Sequence, residues 1–182
     1  TKIPVLAVNA QGQITTASEQ TLSITSLNPQ YGVFQNNATL SNTSVGNGIP
    51  MQFNTTDYSD GVTMTNDLDG HKTNITIANA GIYNFQFSAQ LNKNGGGGSA
   101  IDIYIWMRKN GVDIPDTNTR VTLQGANVYE VAAWNLVFSS DPGDKFQLMW
   151  GSADSHAEIV YLGVSAIGPE IPAVILTVTQ IA

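Results

Sequence analysis

The sequence predicts an all-β domain, a sandwich or barrel of about ten short antiparallel strands, and three observations carry that expectation. Residues 81–92 alternate: Tyr83, Phe85, Phe87, Ala89 and Leu91 fall on one face, and Asn84, Gln86, Ser88, Gln90 and Asn92 on the other. That period of two marks a half-buried strand. Similar runs recur between turn residues, among them Asn79-Ala80-Gly81, Asn110-Gly111, Asp141-Pro142-Gly143-Asp144 and Gly168-Pro169. These supply the positive or preset φ that a chain reversal needs. No segment reads as a helix.

Taken in order, residues 1–28 are β-prone but thin. Ile3, Val5, Leu6 and Val8 precede a turn at 9–12, and Ile14, Leu22, Ile24 and Leu27 are spaced through Thr, Ser and Gln. So little apolar surface cannot fold alone; the segment either docks along a partner or wraps its own oligomer, and an attachment arm is expected over a disordered tail, ahead of a compact domain over 29–182. Within the domain, strands are expected at 31–34, 49–53, 62–65, 74–78, 82–91, 101–109, 119–123, 129–138, 145–150, 159–167 and 173–181. In 101–109, Ile101, Ile103, Ile105 and Met107 share the core face, while Asp102, Tyr104, Trp106 and Arg108 make an amphipathic second face that needs cover other than bulk water. Polar loops are expected at 35–48, 54–61, 92–99 and 151–158. The third contains four successive glycines, which predicts a mobile surface loop.

Composition narrows the function classes. The chain has 182 residues, 42% of them hydrophobic, enough for a sizeable core. Charged residues are only 12%, so the surface is built from Asn, Thr, Ser, Gln and Gly. The net charge is −7 and the seven basic residues are scattered, which argues against nucleic-acid binding. With no cysteine, disulfides and thiolate chemistry are excluded. No apolar run approaches the ~20 residues of a membrane helix, so no membrane span is expected.

No catalytic constellation stands out. His71 and His156 lie far apart in polar stretches without close ligand spacing, and Ser155-His156 has no nucleophile-elbow glycines. Asp67 and Asp69, with Asp57 and Asp60 nearby, offer hard oxygen atoms but lack EF-hand spacing, and read as a solvated turn. Gly95 to Gly98 lacks the Lys-Ser/Thr of a phosphate cradle. The expectation is no enzyme activity, no cofactor and no metal.

Four motifs in order resemble the complement globular head, a member of the tumour-necrosis-factor-like jelly rolls. They are Ile49-Pro50-Met51-Gln52-Phe53, Lys72 to Ala78 leading into Gly81-Ile82-Tyr83-Asn84-Phe85, Met107-Arg108-Lys109-Asn110-Gly111, and Gly143-Asp144-Lys145-Phe146-Gln147-Leu148. The resemblance spans roughly 31–181 and implies a ten-strand jelly roll that trimerises. The cysteines of secreted animal members and a collagen-like stalk are missing. The closing stretch from Ile167 to Ile181 resembles the last strand of such domains in bacteriophage virion proteins.

The expected function is therefore structural: a homotrimeric head fibre, spike or tail-fibre tip on a virion surface, assembled in the host cytoplasm. Its arm would hold other virion proteins, and its loops would contact host surface glycans. The alternative is a soluble complement-type module reading carbohydrate or cell surfaces. Tyr104, Trp106, Trp134, Leu136 and Phe138 are expected at the trimer interface, where closed threefold burial would use spare apolar strand surface. Tyr58, Asn94, Gly96, Asp154 and His156 are expected in receptor-facing loops.

Overall fold

The computed structural model describes residues 2–21 and 29–182. The expected boundary at 28, and Leu22, Ile24 and Leu27 with it, lie outside the described residues.

Among the described residues sixteen strands are formed: β1 Lys2–Val8, β2 Ile14–Thr21, β3 Tyr31–Asn36, β4 Leu40–Ser41, β5 Ile49–Pro50, β6 Thr55–Asp60, β7 Val62–Asn66, β8 Lys72–Ile77, β9 Gly81–Lys93, β10 Ile101–Lys109, β11 Val112–Asp113, β12 Thr119–Leu123, β13 Val128–Ser140, β14 Lys145–Ser152, β15 Ala157–Ile159 and β16 Val174–Gln180. All pairings are antiparallel, and from residue 29 onward they make two seven-stranded sheets. One runs β4-β15-β9-β16-β3-β6, with β13 on the free side of β9; the other runs β11-β10-β14-β8-β7, with β12 on β10 and β5 on β14. The result is an antiparallel jelly-roll sandwich.

The alternating faces read from the sequence are the faces that meet. Tyr83, Phe85, Phe87, Ala89 and Leu91 of β9 and Ile101, Ile103, Ile105 and Met107 of β10 are all buried in one core with Phe146, Leu148 and Trp150 of β14. The aromatic centre is tight. Phe85 lies 4.7 Å from Phe146 and 5.7 Å from Phe138, and Phe138 stacks on Phe146 at 5.6 Å.

These contacts correct the interface expected of β13. Trp134 meets Phe87 edge-on at 4.7 Å, and Leu136 and Phe138 pack on the same core. They are half-buried on the inward face of β13, against the core of their own domain. The outward positions of β13 are the odd ones, including Val131, Ala133 and Val137.

Three further expectations change. Residues 54–61 are mostly strand, not loop: β6 pairs with β3 across a bulge between Val33 and Phe34, so Tyr58 sits on a sheet face opposite Val33. Asp57 and Asp60 had masked the alternation. The strand expected over 159–167 ends at Ile159, because Gly163 and the Ser165–Gly168 turn divert the chain; Val164 and Ile167 are left exposed at 77% and 99%. The strand expected over 49–53 is only Ile49–Pro50, although Met51 and Phe53 are buried.

The N-terminal strands β1 and β2 pair only with each other among the described residues, and every residue of both is exposed.

Candidate functional site

β10 has to be read together with what lies over its outer face. Tyr104 is opposite Gly151 of β14 on one side and Arg120 of β12 on the other. Gly151 offers no side chain, so another segment can approach this part of the sheet closely. The segment 42–48 crosses the sheet there and is pinned to the end of β14. Asn42 Nδ2 donates to the carbonyls of Ser152 and Asp154 at 2.9 and 3.0 Å, and the Gly46 N–H donates to Ser152 O at 2.9 Å.

The crossing is close enough to require glycine twice. A Cβ on Gly48 would lie 2.3 Å from the Trp106 ring, and one on Gly151 would lie 2.6 Å from the Asn47 carbonyl oxygen. Segment 42–48 is therefore the cover that the amphipathic face of β10 calls for. The rest of that face is held in fixed pairs. Trp106 Nε1 and Arg108 Nε both donate to Asp113 Oδ1, at 2.9 and 2.7 Å. Those two bonds, Arg108's foremost, hold the Asp113 carboxyl below its usual range.

What remains open is a groove of about 250 Å³ over Trp106 and Tyr104, walled by 46–48, Asn118 and 151–153. Tyr104, Ser152 and Ala153 also line a second recess of about 270 Å³, whose wall includes Asp102 and Asp154. Asp102 accepts from Thr122 Oγ1 at 2.6 Å and lies 3.7 Å from Arg120. The Tyr104 hydroxyl and the Asn118 amide make no hydrogen bond among the described residues.

Four of the expected loop residues meet beside this groove. His156 Nδ1 is 2.9 Å from Asp154 Oδ1, Asn94 N–H donates to His156 O at 2.8 Å, and Gly96 lies so near the His156 ring that a Cβ would be 2.8 Å from Nδ1. Hydrogen bonds from the His156 backbone and ring lower the Asp154 carboxyl from its usual value. Tyr58 lies apart, on the other sheet. Tyr104 and Trp106 are on the outer face of the β10 sheet, while Trp134, Leu136 and Phe138 are half-buried on the inward face of β13 in the other sheet, so the five residues expected at one interface are divided between two sheets.

The sequence reading missed Lys93. Its side chain is fully buried, and Nζ donates to Gly97 O at 2.9 Å and to Ser99 O. Gly95, Gly96 and Gly97 all take positive φ, at 87°, 72° and 73°, a run that only glycine adopts readily. The glycines let the backbone fold back and offer carbonyls to the ammonium, so the loop expected to be free is tied to β9. The only available signal was a lysine ending an otherwise alternating strand.

Asp67 does not stand free for a metal. Its carboxylate accepts the N–H of Asp69 and His71 and the Thr73 hydroxyl at 3.0, 2.9 and 3.0 Å, closing the β7–β8 turn. No cluster of three or more His, Asp or Glu side chains among the described residues could hold a metal ion.

No family model matches the sequence, and no curated protein matches it. Solved structures do. The crystal structure of murine APRIL at pH 8.0 superposes with a TM-score of 0.51 at 12% identity, covering 84% of this chain and 99% of that one. The same protein at pH 8.5 gives 0.49 at 12% identity, with 84% and 99% covered. At such identity the likeness speaks for architecture alone: the chain has a jelly-roll fold of the tumour-necrosis-factor-like type.

Proposed function

We propose that the chain is a homotrimeric surface protein of a virion, a head fibre, spike or tail-fibre tip of a bacteriophage, held to the particle by its N-terminal hairpin. The observation that carries this reading is the hairpin itself. Ile3, Val5, Leu6, Val8 and Ile14 are all exposed, between 39% and 62%, on a two-stranded unit that, among the described residues, pairs with no strand of the jelly roll. An isolated hairpin is marginal in water, and this one gains stability from a surface that covers its apolar residues.

The trimer draws support from the other sheet. Its outer face is formed by alternate residues of β3, β16, β9 and β13, in rows such as Val33–Thr177–Gln86–Asn135 and Gln35–Ile175–Ser88–Ala133. No outward position on these four strands is charged, so two copies could meet there without desolvating an ion. This face replaces the residues expected from sequence.

The test is deletion of residues 1–28. The truncated protein is expected to fold and to run at about three times its own monomer mass, but to be missing from purified particles. A truncated protein that still joins particles overturns the anchoring role, and one that is monomeric at micromolar concentration overturns the trimer. The open Tyr104–Trp106 groove favours a second reading, a soluble recognition head of complement type, which would leave the exposed hairpin without a task.

A further inference from the structure

We propose that the groove over Tyr104 and Trp106 is a binding site for a neutral saccharide. The inference deepens the attachment reading by naming a ligand class and a place, and it rests on that reading only for its biological purpose.

The argument begins with shape. The two recesses are neighbours that share Tyr104, Ser152 and Ala153 in their walls. Together they reach the roughly 300–1,000 Å³ of small-molecule sites, as an open trough suited to a short chain of rings. One wall is the loop, seated directly on the sheet because Gly48 and Gly151 carry no side chains where it crosses. The position of that wall is thus built into the fold.

The lining selects the ligand. Two aromatic side chains, exposed Tyr104 and half-buried Trp106, line the recess as apolar surface that suits the C–H side of a pyranose, and Trp106 is held in place by its bond to Asp113. Around them stand polar groups with bonding capacity to spare: the Tyr104 hydroxyl, the exposed Asn118 amide and the exposed Asn47 side chain. Alternating apolar faces and hydroxyl-matching groups are the complement of a sugar. Charge narrows the choice further. The acidic groups at the trough are Asp102 and Asp154, and the basic groups beside them are already engaged: Arg120 with Asp102, His156 with Asp154, and the buried Lys93 with the carbonyls of Gly97 and Ser99. An acidic sugar, a phosphate or a sulfate would meet carboxylates without a free cation. A peptide is disfavoured because the floor is a sheet face whose ladder bonds are already made.

The test uses the full chain on an array of neutral oligosaccharides with glucose, galactose, mannose, rhamnose and N-acetylhexosamine termini, with sialylated and sulfated counterparts as charged controls. Binding to at least one neutral glycan is expected, with saturation transfer to its ring protons by NMR. Tyr104→Ala should weaken it about tenfold or more, Asn118→Leu should weaken it too, and Tyr58→Ala on the other sheet should leave it unchanged. Unaltered melting temperatures in Tyr104→Ala and Asn118→Leu would separate lost contact from lost fold. If Tyr104→Ala is destabilised, the exposed Asn118→Leu decides alone. The proposal is overturned if no neutral glycan binds, if binding survives both groove variants, or if the charged controls bind better. Particle incorporation is unaffected by any of these outcomes, so the groove and the virion reading can fail separately.

Discussion

The Lys109 ammonium lies 2.7 Å from the Asp144 carboxylate, and the contact ties together two of the motifs on which the resemblance rested. Asp144 also accepts from Asn110 Nδ2 and from the Asp141 N–H, both at 2.7 Å, while the Lys145 N–H donates back to Asn110 Oδ1 at 2.8 Å. Arg108-Lys109-Asn110-Gly111 and Gly143-Asp144-Lys145-Phe146 are one structural unit, the turn of β10 locked to the start of β14.

Burial alone would raise the Asp144 carboxyl, but Lys109, the Asp141 N–H and Asn110 outweigh it and hold it below 3.8. A depressed carboxyl contributes stability in full above its unfolded value and loses it as pH falls through the folded one. Asp144→Asn is therefore expected to cost about 2–3 kcal/mol at neutral pH, with the gap to wild type closing below pH 3.8. Thermal melts at pH 7 and pH 3 check this. A gap that persists unchanged at pH 3 would show that the charge is not responsible.

Trp134→Ala should cost about 3–5 kcal/mol through lost packing on Phe87. Because Trp134 belongs to the sandwich, chemical unfolding should show this loss even at concentrations where the protein is dissociated. A variant of normal stability that fails only to assemble would return Trp134 to the surface.

Gln86→Arg places a charge in the middle of the uncharged face, between Thr177 and Asn135. Light scattering is expected to show monomers at micromolar concentration, against about three times 19.4 kDa for wild type. Trimers of normal affinity would move the interface elsewhere.

Lys93→Met removes the donor that gathers Gly97 O and Ser99 O. Faster amide hydrogen exchange is expected across 95–99, with a loss of about 1–3 kcal/mol from carbonyls left unpaired. Unchanged exchange would mean that the glycine backbone holds its shape unaided.

Reading the sequence was enough for the class of fold and most strand positions, because a period of two with turn residues is a local property that survives without knowledge of partners. The inward faces of β9 and β10 were legible for the same reason. Assigning β13 was harder: the alternation showed that Trp134, Leu136 and Phe138 share a face, but only the pairing with β9 decided that this face closes the core. Where two charges interrupted the pattern, as at Asp57 and Asp60, the strand was missed. The groove required more than any local signal, since Gly48, Tyr104, Asn118 and Gly151 are separated in sequence and become neighbours only when segment 42–48 crosses β10 and β14. Likewise the ammonium of Lys93 and the glycines after it are adjacent in the chain, yet their relation depends on a buried position that burial by the surrounding strands alone creates.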